Sequence, residues 1–276
     1  MALDLGSQTV DDDLIPGLQK LLIRKDFERA PDIINHLPKD STLLEAQQKV
    51  CEHLPHLCLI LRKFGVGELF GLHQPHTHYD DVLEDFQMAG RTETRDECLY
   101  YWTRAVDDTL ESSKVCGLKY IFHREYGLCP YDFHEGDLPD TSKVDPKFFL
   151  TVEKYLVEHD LTSTFGLLYL APGMLERNML EFVLPNGDLL LVEEARIPLG
   201  KLPRVTTAWA RLSSAEGQFE RKLECVVFPD LSHRKVDVKP KKSYLGFDDV
   251  LHAFHKLSIS TGFDGSSSRA LPVSMS

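Results

Sequence analysis

Apolar positions recur at helical spacing early in the chain and at strand spacing late in it. Leu14, Leu18, Leu21 and Leu22 follow the acidic run Asp11-Asp12-Asp13, which suits a helix N-terminus, and predict a first helix. Ser41 or Thr42 can cap a second, with Glu45 in its first turn and Leu43, Leu44, Val50 and Leu54 supplying apolar positions. Pro55 is expected to bend or divide that segment before it continues from Leu57 to Phe64. A short strand is predicted over Val66–Phe70. In the second half, Met179–Leu184 and Leu189–Glu194 flank Pro185-Asn186-Gly187-Asp188, where Asn-Gly supplies the positive backbone dihedrals of a tight hairpin turn. Thr206–Leu212 and Phe219–Phe228 predict another hairpin, and Phe165–Leu170 a further strand. A helix over Pro146–His159 opens with Asp145 as cap and Pro146 at its first position. Another is expected over Asp248–Leu257.

Helices first and hairpins later predict an α+β architecture, with N-terminal helices packed on a mainly antiparallel sheet or partly closed barrel. With 276 residues the chain can bury a sizeable core. The expected division is a flexible stretch 1–12, a single globular domain 13–257 and a Ser-rich disordered tail 258–276, which contains Gly265-Ser266-Ser267-Ser268.

A formal charge of −12 argues against a nucleic-acid binder, since phosphate neutralisation needs concentrated Lys and Arg. The one basic stretch, Arg234-Lys235 through Lys242, is interrupted by Asp237 and Pro240 and reads as a solvated loop. The first residues have neither the basic start nor the hydrophobic run of a secretory signal, and no apolar stretch approaches membrane-spanning length. Cys51, Cys58, Cys98, Cys116, Cys129 and Cys225 are scattered without a CxxC pair, so they read as reduced packing thiols. The expectation is a cytoplasmic protein with no membrane partner.

The densest group of candidate ligands and proton carriers is His73-Gln74-Pro75-His76-Thr77-His78, followed by Tyr79, Asp80 and Asp81. Pro75 excludes a continuous helix. On a strand, the spacing of two would put His76 and His78 on one face within reach of one ion. Neutral imidazole suits zinc, iron or copper, and His73, Asp80, Asp81 and Glu84 are local candidates for a third ligand. The same groups could instead transfer protons, or simply occupy a polar loop.

Other constellations carry less. Asp80-Asp81-Val82-Leu83-Glu84 and Asp107-Asp108-Thr109-Leu110-Glu111 both read DDxxE, similar to the Mg²⁺-binding acids of terpene synthases, but those folds are all-helical and this chain contains hairpins. Cys116, His123, Cys129 and His134 match no common zinc-finger spacing, and Cys129 could be a nucleophile only if a histidine reached it. No Gly-x-Ser-x-Gly, P-loop or dinucleotide fingerprint is present, so NAD, flavin and ATP chemistry lose support while a divalent metal stays open. Tyr101, Trp102 and Phe133 are candidates to line a pocket for a small apolar or aromatic ligand, or to build a core.

Two resemblances add to this. Gly71, His76-x-His78, Glu84 and Gly90 resemble the first cupin motif, each of the three spacings departing by one residue, which implies a metal-binding β-barrel with His76, His78 and Glu84 as ligands. Lys63–His73 and Gly127–Phe133 resemble two blocks of a group of uncharacterised filamentous-fungal proteins, which implies a fungal source and no particular activity. Three functions follow as expectations: a small-molecule-binding or auxiliary protein, a metal-dependent cupin-like enzyme, or an acidic protein-interaction factor.

Overall fold

A computed structural model gives the fold, and describes residues 14–39, 43–79, 88–105, 112–185, 187–196, 204–211, 219–226 and 246–260. The expected flexible N-terminus, almost all of the Ser-rich tail, both DDxxE acid runs with Glu84, and Asn186 lie outside these residues.

The expected first helix is not formed. Residues 15–20 make a single tight turn, with Gln19 N–H donating to the Ile15 carbonyl at 2.8 Å. Gly17 stops it there, because its φ of 71° is left-handed and its carbonyl accepts from Gly117 N–H at 3.1 Å. The first helix, α1 (Arg24–His36), starts later, where Asp26 Oδ2 accepts the Ile23 N–H at 2.9 Å. The second, α2 (Leu43–Phe64), runs unbroken through Pro55. It ends on Gly65 at φ 67°, where Gly65 N–H bonds the Arg62 carbonyl and Val66 N–H the Leu61 carbonyl. That cap consumes Val66–Leu69, so the predicted strand shifts to β1 (Phe70–His73).

The remaining elements are β2 (Met88–Arg95), β3 (Cys98–Ala105), β4 (Val115–His123), β5 (Gly127–Glu135), α3 (Lys147–Glu158), β6 (Gly166–Tyr169), β7 (Met179–Val183), β8 (Leu189–Glu193), β9 (Arg204–Arg211), β10 (Phe219–Val226) and α4 (Phe247–Ser260). Asp145 Oδ1 accepts the Lys147 N–H at 2.9 Å at the head of α3, as its sequence predicts. The β7–β8 hairpin pairs Met179 with Glu193 and Val183 with Leu189, and β9–β10 pair antiparallel as expected. The sequence expectations do not include β2–β5, where β2 is largely polar and β4 is a nearly continuous buried run without alternation.

These ten strands close into a barrel in the order β1-β6-β4-β5-β2-β3-β8-β7-β10-β9, with β9 returning to β1. The protein is therefore a mixed α+β fold built on a closed barrel. Most neighbours are antiparallel, but β7·β10 and β2·β5 are parallel. Alternation divides each strand between two environments. Leu99, Tyr101, Met179, Leu191, Ala208 and Leu223 share the barrel interior. Their neighbours Tyr100, Trp102, Leu180, Phe182 and Leu190 face outward, where they meet Val250 and Phe254 of α4. Leu57 and Leu61 of α2 and Phe148 and Val152 of α3 share a cluster with Phe70, Leu72 and Leu167. Phe27 of α1 meets Phe133 of β5 at 4.7 Å between ring centroids. No helix among the described residues is long and apolar enough to cross a membrane.

Candidate metal centre

The histidine segment leaves the barrel wall at the end of β1. Pro75 has no N–H to continue a ladder, and residues 74–79 run as an irregular strap, tied by Gln74 N–H to the Thr207 carbonyl (2.8 Å), Thr77 N–H to the Pro38 carbonyl (3.0 Å) and Tyr79 Oη–H to the Gly187 carbonyl (2.9 Å). His76 and His78 come together on this strap and not on a regular strand. Their ring centroids are 4.7 Å apart at 85°, and both are buried.

Their partners come from the wall. Glu181 alternates with Met179 on the inner face of β7, and Cys225 with Leu223 on that of β10. The parallel register of these strands sets Cys225 directly beside Glu181. One ligand atom each of His76, His78, Glu181 and Cys225 lies within 4.8 Å of every other. Cys225 Sγ is 3.3 Å from His76 Nε2, 3.9 Å from His78 Nε2 and 3.3 Å from Glu181 Oε1, which is 3.7 Å from His76 Nε2 and in contact with His78 Nε2. Tetrahedral zinc with nitrogen, oxygen and sulfur donors needs donor–donor edges of about 3.3–3.6 Å. The separations among His76, Cys225 and Glu181 lie close to those edges, whereas His78 sits nearer to Glu181 than two donors of one ion stand and would draw back as an ion entered.

Surrounding groups fix this arrangement. His76 Nδ1–H donates to the Gln74 carbonyl at 2.8 Å, which turns the Nε2 lone pair toward the cluster. The second oxygen of Glu181 faces Lys119 Nζ at 3.5 Å, and the same ammonium meets Asp132 Oδ2 at 3.4 Å. Burial alone would raise the Glu181 carboxyl, but Lys119 and then His78 hold it well below the usual range. Burial raises Asp132 against the pull of Lys119, whereas in Lys119 burial is outweighed by Glu181 and Asp132, so the lysine stays charged. His76 resists its burial because Cys225 and Glu181 face it, and is drawn up to about 9. An ion arriving here displaces that proton.

Beside the cluster lies a cavity of about 30 Å³, lined by His76, His78, Thr103, Lys119, Tyr131 and Asp132 among others.

His73, the conditional third ligand, belongs elsewhere. Its Nε2–H donates to the Tyr120 carbonyl at 3.1 Å and its Nδ1 accepts from Tyr131 Oη–H at 3.4 Å. Burial, reinforced by Lys119, lowers it to about 3, so it stays neutral. The unfolded imidazole takes up a proton near pH 6.5 and the folded one does not, so stability is full above that pH and falls below it. From pH 6.5 down to 5 the slope of unfolding free energy is expected to exceed that of a His73→Gln variant, whose amide can keep both hydrogen bonds, by an amount that rises from about 0.7 to about 1.4 kcal/mol per pH unit. Urea midpoints across that range read it, and equal slopes would contradict it.

Asp80, Asp81 and Glu84 lie outside the described residues, and the carboxylate brought to the histidines is Glu181. Tyr101, Trp102 and Phe133 do not meet around one cavity. Tyr101 is inside the barrel, its hydroxyl donating to the Phe133 carbonyl at 3.0 Å; Trp102 faces Phe247, and the Phe133 ring lies under α1. Each is packed in a different hydrophobic cluster. Cys116 and Cys129 are likewise separated, and burial pushes both thiols up to about 12, so Cys129 is not an activated nucleophile. The sequence reasoning missed Glu181, Cys225, Lys119 and Asp132. Their signal was a charged or sulfur side chain inside an otherwise apolar strand, as in Met179-Leu180-Glu181-Phe182-Val183.

No protein-family model, curated protein or solved structure matches this chain.

Proposed function

We propose that this protein is a metal-dependent barrel protein that holds one divalent transition-metal ion, with zinc the best match, and presents it to a small molecule. The observation that carries this reading is the convergence of four buried donor atoms, from a strap and two strands, to within 4.8 Å of one another, with His76, Cys225 and Glu181 spaced close to the edges of a tetrahedral site. Two imidazoles, a thiolate and a carboxylate form a mixed borderline and soft set, which favours zinc over magnesium or calcium. The carbonyl behind His76 and the ammonium behind Glu181 are the outer partners that metal ligands require. Four protein donors fill a tetrahedral shell, so a molecule in the cavity reaching both histidines would meet the ion as a fifth neighbour, and that access supports a role beyond a purely structural ion. The His-x-His spacing that resembles cupins supports the same reading.

Metal analysis of protein purified without an affinity tag tests it. One equivalent of zinc or a neighbouring transition metal is expected, falling below a tenth of an equivalent in the His76→Ala/His78→Ala double variant. Folded wild-type protein that takes up no metal when zinc is supplied would overturn it.

A further inference from the structure

Asp132 uses only one of its two carboxylate oxygens. Oδ2 meets Lys119, while Oδ1 is buried with no hydrogen-bond partner among the described residues, and the residue is 7% exposed. Leaving a buried acceptor unsatisfied costs about 1–3 kcal/mol, more for a charged group, so such an oxygen points to a donor that arrives from outside the chain. Asp132 lines the cavity that also touches His76 and His78. A water-sized group needs roughly 10–15 Å³ on this scale, so about 30 Å³ admits a moiety of only two or three non-hydrogen atoms.

Charge narrows the class further. If the metal reading holds, a doubly charged ion and the Lys119 ammonium stand against the Cys225 thiolate, Glu181 and Asp132, and these charges cancel. An anionic ligand would add an uncompensated charge to a buried site and bring it against the unpartnered carboxylate oxygen, whereas an uncharged hydroxyl adds none and supplies the missing donor. Tyr131 and Thr103 leave the remaining wall mixed in polarity, and neither brings a second cation.

We propose that the cavity binds a small uncharged molecule through a hydroxyl group that donates to Asp132 Oδ1 and lies against the metal held by His76 and His78. This deepens the metal reading and rests on it.

Ethanol and formate, each with three non-hydrogen atoms, are the probes. Full-length protein loaded with cobalt reports the site through its visible absorption. Ethanol is expected to perturb that spectrum saturably, at a concentration at least tenfold below the formate that does the same. Asp132→Asn is expected to weaken ethanol at least tenfold while cobalt stoichiometry stays at one. Formate binding as tightly as ethanol, an absence of saturable ethanol binding, or an unchanged affinity in Asp132→Asn would each overturn the proposal. The wild-type comparison needs no variant, so a misfolded Asp132→Asn does not protect the idea. Failure of cobalt to bind sinks the metal reading; ligand-detected NMR with the same two probes then decides the Asp132 contact, which fails if formate competes equally with ethanol.

Discussion

Glu181→Gln is expected to lower the unfolding free energy by about 3 kcal/mol in chelator, where metal plays no part. Glu181 is fully buried, with one oxygen at Lys119 and the other among His76, His78 and Cys225. Removing one member of a buried ion pair typically costs about 3–5 kcal/mol, because the partner stays buried without its counter-charge. Lys119 keeps Asp132 at 3.4 Å, which places the loss at the lower end of that range. Adding Lys119→Met to Glu181→Gln removes the stranded charge, so the double variant is expected to be less destabilised than the two single losses combined. The folded Glu181 carboxyl is held below its usual range, so its contribution is present at neutral pH and is lost as the pH falls through that lowered value. The gap between wild type and variant should therefore close in acid. Urea denaturation at pH 7 and in a series taken down to about pH 2 measures both effects, and a loss under about 1 kcal/mol at pH 7 would show that the Lys119–Glu181 contact is not the mainstay of the network.

The same residue shows where sequence reading stops. His76 and His78 are legible because both sit within one short segment, and Pro75 marks the break from regular structure. Glu181 stands 103 positions from His78, and Cys225 149 from His76. What joins them is the parallel pairing of β7 with β10, two strands that local pattern assigns to separate hairpins. Hairpins are legible from turn residues, as Gly187 between β7 and β8 illustrates; which hairpins become neighbours is decided by closure of the whole barrel. Local spacing also misplaced the first helix, since Leu14, Leu18 and Leu22 keep helical intervals while Gly17 closes a single turn between them. The candidates drawn from nearby residues, Glu84 above all, reflect that same preference for the local over the distant. A buried charged side chain on a strand was the available cue, and Lys119, Asp132 and Glu181 each carry it.

Zinc removal should then be as costly as losing Glu181, and for a separable reason. An ion that binds only the folded chain stabilises it by about 4 kcal/mol at a thousand times its dissociation constant. For a chain of this size that corresponds to a melting point roughly 8–16 °C higher in zinc than in chelator. Cys225→Ala separates this from the ion-pair effect. Cys225 is a small buried side chain near Thr207 and His76, and its truncation leaves Glu181, 3.7 Å from His76, as the acid facing that imidazole. Its apo stability is expected to stay within about 1 kcal/mol of wild type, with most of the zinc-induced rise gone. Binding requires the thiol and both imidazoles to give up their protons, and His76 without an ion holds its proton up to about 9. The zinc increment is therefore expected to shrink steadily from pH 8 to pH 6, as the ion competes with more protons for the same lone pairs. Calorimetric scans of wild type and Cys225→Ala, with and without chelator, give all four melting points. A Cys225→Ala protein that responds as fully as wild type would remove Cys225 from the coordination sphere, whereas a wild-type melting point indifferent to zinc would leave the two histidines, Glu181 and Cys225 as a charge network built around Lys119.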